Sequence, residues 1–196
     1  MRVLLLGSDT PLGKAILQRQ AILQRHEVLP LSRSACRWKS ERQAKKSVVR
    51  AKSDIVVDCR IEAAGDGGVQ IQELDLKRCH WVDKACQRTG AAYLYVSSSR
   101  VFSGQLDRPY IEEDPPDYEE SIGQLLTHAE KVVSEACERH LILRLGPIFS
   151  YEGATLITQM LGPWRESDSL ILDDNLRGSP VAAEDGARVV LALLDQ

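Results

Sequence analysis

Apolar and polar positions divide this chain into short, wholly apolar runs and longer stretches of helical period. The first run, Val3-Leu-Leu-Leu6, stops abruptly at Gly7. An apolar run bounded by a glycine turn predicts a strand buried on both faces of a parallel sheet. Leu12, Ala15, Ile16 and Leu23 then mark a helix that opens near Gly13. The alternation repeats, with strands over 26–32, 54–59, 91–97 and 140–146 and helices over 74–88 and 121–138. The last helix is the most periodic element: Ile122, Leu125, Leu126, Ala129, Val132, Val133 and Ala136 form one apolar stripe. Gly90 stands where a helix C-terminal glycine belongs. Strands alternating with helices predict an α/β fold, a Rossmann-like doubly wound parallel sheet. Residues 1–150 read as this dinucleotide-binding core. From Tyr151 the chain turns polar and loop-rich, with a short strand at 170–174, a turn at 177–180 and a closing helix from near Glu184. Residues 151–196 therefore read as a small, incomplete substrate-binding lobe and not an independent domain.

Strand, glycine turn and helix make a phosphate-cradling corner, because N–H groups at a helix N-terminus suit a pyrophosphate. Gly7, Thr10, Pro11, Leu12 and Gly13 are its candidate residues. A tight turn that only joins strand to helix is the plainer reading. The second strand ends in Ser32-Arg33 with no carboxylate. An acidic residue there would hold the NAD ribose, whereas an arginine suits a 2′-phosphate, so NADP is the dinucleotide favoured if one binds. Residues 36–53 hold seven lysines and arginines and read as an exposed connecting helix. A net charge of −3 gives no reason to expect nucleic acid or an anionic membrane as partner. No apolar run approaches a membrane span, and the N-terminus lacks the features of a signal peptide. The five cysteines are odd in number, scattered and without a Cys-x-x-Cys pair. They predict reduced thiols in a cytoplasmic protein. The four histidines have no metal-ligand spacing, so no metal site is expected. Packing is the expected role of Trp38, Trp81 and Trp164, and Cys79 and Cys86 read as small core residues.

Tyr95-Val-Ser-Ser-Ser-Arg-Val-Phe-Ser-Gly104 and Pro109-Tyr-Ile-Glu-Glu-Asp114 resemble blocks of the dTDP-4-dehydrorhamnose reductases, within the extended short-chain dehydrogenase/reductases. Leu143-Arg-Leu-Gly146, Asp173-Asp-Asn-Leu-Arg-Gly-Ser-Pro180 and Ala183-Glu-Asp-Gly-Ala187 extend the resemblance toward the end of the chain. It implies the Rossmann-like fold, NADP as cofactor, a nucleotide sugar as substrate and a homodimer. In that family a tyrosine, with a lysine four residues on, protonates the alkoxide formed by hydride transfer, and a Ser or Thr orients the carbonyl. Here Ser98 is the one retained hydroxyl, while Ile122 and Leu126 occupy the Tyr and Lys positions. The family's Gly-x-x-Gly-x-x-Gly reads Gly7-x-x-Thr10-x-x-Gly13, and its Asn-x-Ala-Ala reads Asp58-Cys-Arg60-Ile61. Arg60 either salt-bridges a cofactor phosphate or fills the groove; the sequence leaves both open. The resemblance thus implies a member without the Tyr/Lys relay, binding a nucleotide or a protein partner. The alternative is an NADP-dependent reductase or epimerase of nucleotide sugars whose acid is displaced, to Tyr110, Tyr118 or His128. A third reading is a protein without ligand, its site filled by its own side chains.

Overall fold

The computed structural model describes residues 1–61, 71–119, 121–151, 155, 158, 161, 164, 165 and 178–196. Five strands form one parallel sheet: β1 (Arg2–Leu6), β2 (Glu27–Leu31), β3 (Ile55–Asp58), β4 (Ala92–Ser98) and β5 (His140–Leu145), in the order β2-β1-β3-β4-β5. Leu6 pairs with Asp58 and Leu31, which brings the ends of β1, β2 and β3 to one edge. The helices are α1 (Pro11–Leu23), α2 (Glu41–Ala51), α3 (Glu73–Thr89), α4 (Ser121–Ala136) and α5 (Ala183–Leu194). Helix α1 packs with α5 on one face, and α2, α3 and α4 lie side by side on the other. The sheet separates two cores: Val3, Leu5, Leu94 and Val96 face α1 and α5, while Leu4, Leu6, Tyr93 and Tyr95 face the other three helices. Alternate residues on a strand point to opposite faces, so the apolar runs serve both layers.

Helix boundaries follow local chemistry. Thr10 caps α1, its Oγ1 accepting the Gly13 N–H at 3.0 Å, and Pro11 takes the first helical position. Gly90 closes α3 with φ of 72°. Helix α2 is more than a connection: Ala44, Val48 and Ala51 are buried against α3, and Cys36 and Trp38 before it join the core. Trp81 packs against the same core, but Trp164 is 61% exposed, contrary to the packing expected of it. All five cysteines are free and buried.

Two short strands, β6 (Ile148–Phe149) and β7 (Val181–Ala182), pair in parallel beyond β5 and had no signal in the sequence. Gly146 makes their meeting feasible, because a Cβ there would strike the Ser179 carbonyl oxygen. The α5 terminus is tied back by Asp195, which pairs with Arg25 at 2.6 Å and His26 at 3.1 Å. The strand expected at 170–174, most of the glycine-rich loop after Arg60 and the Asp173–Arg177 part of the resemblance lie outside the described residues. No helix among the described residues is long and apolar enough to cross a membrane.

Candidate functional site

The corner after β1 is built on close approach. Gly7 has φ of 79°, and a Cβ on it would lie 2.9 Å from the Arg60 nitrogen. Gly13 sits against the Gly7 carbonyl oxygen with no room for a Cβ. Of the donors in α1's first turn, Pro11 has no N–H and Gly13 gives its own to Thr10, which leaves that of Leu12. Thr10 is fully buried, so its side chain belongs to the cap and not to the face of the turn. Arg33 is held from the corner itself. Its backbone N–H donates to Asp9 Oδ1 at 2.6 Å and its guanidinium lies 3.7 Å from Asp9 Oδ2. Ser32 turns its hydroxyl to Ser34 at 2.8 Å and accepts the Ala35 N–H at 3.2 Å.

Arg60 folds back over the end of β3. Its Nε and Nη2 donate to the two Asp58 oxygens at 2.8 and 2.6 Å, and its backbone N–H donates to Oδ1 at 3.1 Å. The Tyr93 hydroxyl donates to Asp58 Oδ2 at 2.7 Å. The guanidinium also lies 5.3 Å from the Trp38 ring centre and 3.7 Å from Cys79 Sγ. Asp58 and Arg60 are both buried. Burial acts to raise the Asp58 pKa, but the Arg60 charge and the hydrogen bonds outweigh it and hold the carboxyl below its ordinary range. Burial pushes the Cys36 and Cys79 thiols up to about 12, against the pull of Arg60, so neither is a nucleophile at neutral pH. The Arg60 side chain is thus committed to Asp58 and to the face of Trp38.

The positions that the resemblance assigned to acid–base chemistry lie across the sheet edge on α4. Leu126 is 2% exposed within the core, and Ile122 packs against the same cluster. Ser98 Oγ accepts the Arg100 N–H at 3.3 Å and caps a single 3-10 turn over Ser99–Val101. Its neighbour Ser97 points to the other face and donates to Glu130 Oε1 at 2.6 Å. Arg144 on β5 clamps that carboxylate, with Nε at 3.0 Å from Oε1 and Nη2 at 2.8 Å from Oε2. The Arg144 guanidinium stands 5.0 Å from the Phe102 ring centre, and Phe102 stacks on Tyr110 at 4.1 Å. The Tyr110 hydroxyl accepts the Gly104 N–H at 3.0 Å and donates to Asp117 Oδ2 at 3.3 Å, so it anchors the loop. Tyr118 packs over Gly123, where a Cβ would strike its ring. With His128 and Lys131 it lines an open hollow of about 490 Å³ on the outer side of α4.

The structure thus gathers Gly7, Thr10, Gly13, Asp58 and Arg60 at one sheet edge, and puts Ser98, Ile122 and Leu126 about α4. Asp9 and Glu130 had not been singled out, and Trp38 had been expected only to pack. A signal existed for Glu130, an acid eight positions after Ile122 on an apolar stripe. Nothing local foretold that Asp9 would meet Arg33.

Comparison with known proteins agrees with this geometry. The sequence matches the RmlD substrate binding domain over residues 1–196. It is 24% identical over 200 residues to the spore coat polysaccharide biosynthesis protein SpsK of Bacillus subtilis, covering 98% of this chain and 69% of that protein. Among solved structures, a dTDP-4-dehydrorhamnose reductase of Clostridium acetobutylicum superposes with a TM-score of 0.86 at 22% identity, over 100% of this chain and 70% of that one. The Bacillus anthracis dTDP-4-dehydrorhamnose reductase, solved in complex with NADP, gives 0.84 at 20% identity, over 100% and 71%. On the match along its whole length, the chain belongs to the RmlD substrate binding domain family of the extended short-chain dehydrogenase/reductases.

Proposed function

We propose that this protein is a member of the family that works by binding and not by turnover, without the Tyr/Lys proton relay. The observation that carries the reading is the place of Leu126, packed in the core at the lysine position, with Ile122 against the same cluster. Neither side chain can hold or move a proton. The substitutions also suit each other, since a lone lysine there would be a costly buried charge.

The residues at the corner do not fit a bound dinucleotide. Asp9 neutralises Arg33 and would oppose a 2′-phosphate. The Arg60 backbone lies against Gly7 and its side chain is packed on Trp38, and the first turn of α1 keeps one N–H for a pyrophosphate. A protein partner is therefore the better-supported ligand of the two that the resemblance implied. A cytoplasmic location, supported by the five free thiols, belongs to the same reading.

The test is a thermal-shift titration with NADPH, NADP, NADH, NAD and dTDP-sugars, with NADPH oxidation followed in the presence of a dTDP-4-keto sugar. No stabilisation and no oxidation are expected, since only a ligand that binds the folded state raises its apparent stability. A rise with NADPH that Arg33→Ala abolishes, together with NADPH consumption, would overturn the reading. It would favour the second one, an NADP-dependent reductase or epimerase of nucleotide sugars. The support for that reading is that Tyr118, His128 and Lys131 share one hollow. Tyr118→Phe would then abolish the oxidation.

A further inference from the structure

The charge of −3, which gave no reason to expect a nucleic acid, averages a very uneven surface. Between residues 37 and 52 seven lysines and arginines stand against the single Glu41, a net of +6, so that the rest of the chain carries −9. All seven cations are exposed, and among the described residues none of them is in an ion pair. Most of this charge stands on α2, the end member of the row that it forms with α3 and α4. Ala44, Val48 and Ala51 are buried, so the apolar side of α2 is spent on the core. Its outer half holds Arg42, Lys45, Lys46 and Arg50, with Gln43 and the 44% exposed Val49 among them. At 3.6 residues per turn, Lys45 and Arg50 stand about 140° apart around the helix axis, and Arg42 and Lys46 lie between them. Cations thus cover the crest of α2 and both its shoulders, along its 11 residues or about 16 Å.

Most partners of a basic helix require something that α2 lacks. A bilayer holds such a helix by its apolar face, and a protein groove captures it by apolar anchors, but here that face is already buried. Protein interfaces in general are rich in aromatic anchors and poor in lysine, the reverse of this surface. A single strand of nucleic acid stacks its bases on exposed aromatic rings. Trp38, the one aromatic residue of the segment, is buried and faces Arg60. A duplex asks for charge alone, because its phosphates are contacted without stacking. The major groove of B-form DNA, about 12 Å wide, admits an α-helix, whereas that of duplex RNA is too narrow. With cations on both shoulders, α2 reaches the phosphates of both groove walls. The −9 on the rest of the chain is repelled by the same polyanion, so the encounter is steered to this helix.

We infer that the outer side of α2 docks in the major groove of duplex DNA, through phosphate contacts and without reading the sequence. The inference goes beyond the binding reading above and concerns another surface, so it and the nucleotide titration can fail separately. The test is fluorescence anisotropy of the full chain with a labelled DNA duplex of about 20 base pairs, for which a Kd on the order of 10 μM is expected at ~0.05 M salt. Contacts from the four cations of the outer half predict that log K falls against log salt with a slope of about −4. Duplexes of unrelated sequence should bind alike.

Two variants sharpen the test, with circular dichroism to show that each is folded. Lys45→Ala/Lys46→Ala removes two cations from exposed helical positions, where alanine suits the backbone. It should weaken binding at low salt by at least roughly tenfold and make the salt slope shallower by about 2. Arg188→Ala removes an exposed cation from α5, on the opposite face of the sheet, and should leave both unchanged. The inference is overturned if the wild type does not bind the duplex at low salt, if the α2 variant binds as the wild type does, or if Arg188→Ala weakens binding as much. It is equally overturned if duplex RNA or a single strand binds as tightly as duplex DNA. Binding of phosphatidylserine vesicles or polyglutamate in place of the duplex would overturn it as well.

Discussion

Asp83 gives the sharpest test of the packing. It lies on the inner side of α3, fully buried, and neither carboxylate oxygen has a hydrogen-bond partner. Burial alone pushes its pKa up to about 7, from an ordinary value of 3.8. The sign follows from linkage. Between these two values the unfolded chain releases the proton while the native state keeps it, so stability falls as pH rises. It is highest below the unfolded value, declines up to about pH 7, and then stays level with the cost fully incurred. Between pH 5 and 8.5 the decline covers about two pH units of the window, or about 3 kcal/mol. Any local opening that wets the carboxylate lowers this figure. Asp83→Asn keeps the shape and cannot ionise. In urea melts the stability advantage of the variant over the wild type should be larger at pH 8.5 than at pH 5 by about 2–3 kcal/mol, and the gap in melting temperature wider by roughly 5–10 °C. A difference that does not change with pH, or one that favours the wild type at pH 8.5, would show that the carboxylate has a partner and is charged in the native state.

Other substitutions probe the site and its supports. Thr10→Ala removes the cap of α1 and should cost about 1 kcal/mol in chemical denaturation. Arg60→Ala strands the buried Asp58 with the Tyr93 hydroxyl as its one remaining side-chain donor, at a cost of about 3–5 kcal/mol; Asp58→Asn/Arg60→Ala should recover part of that loss. Leu126→Ala should cost about 2–5 kcal/mol by leaving a cavity in the core, a loss that a solvent-facing residue would not produce. Gly146→Ala should release the 178–182 segment from β6, read as faster amide exchange at Val181, whose N–H donates to the Pro147 carbonyl at 2.9 Å.

Much of the fold was legible because strands and helices announce themselves locally. Val3 to Leu6 is apolar without a break because both faces of β1 are covered, and the α4 stripe is continuous because one side of that helix meets the sheet. The strand pair β6–β7 was not legible. Each strand is two residues long, and what joins them is the missing Cβ of Gly146, a contact across more than thirty positions. The same limit applies at the site. Ile122 and Leu126 could be read from the sequence as unable to move protons, since that depends on the identity of a side chain. The fate of Arg60 could not. Whether an arginine reaches a ligand or folds onto a carboxylate two residues back depends on Tyr93, Trp38 and Cys79, which arrive from other elements. Residues 36–53 were misjudged for a related reason: their charge pattern fits a solvated helix, and only the fold reveals that Cys36, Ala44 and Val48 are core beside Trp38, whose packing was expected.

The two departures from the family's pattern are independent in space yet consistent in kind. On α4, Ile122 and Leu126 stand at the positions that the resemblance gives to the proton donor and the cation, and both extend the core. At the end of β3, an ion pair and an indole pack together where the family's pattern has small residues. On the reading proposed above, each change puts packing where the family's pattern would serve a ligand. A chain that had lost activity through one damaging substitution would leave an orphan behind, such as an unpaired lysine on α4 or an uncompensated Asp58, at a cost of several kcal/mol. No such orphan remains at either place: Asp58 has Arg60 and Tyr93, and the α4 stripe is apolar at both positions. The buried carboxylate without a partner, Asp83, lies on α3. On the binding reading proposed above, both places serve as core, with Asp58 met by Arg60 and Tyr93 inside the fold.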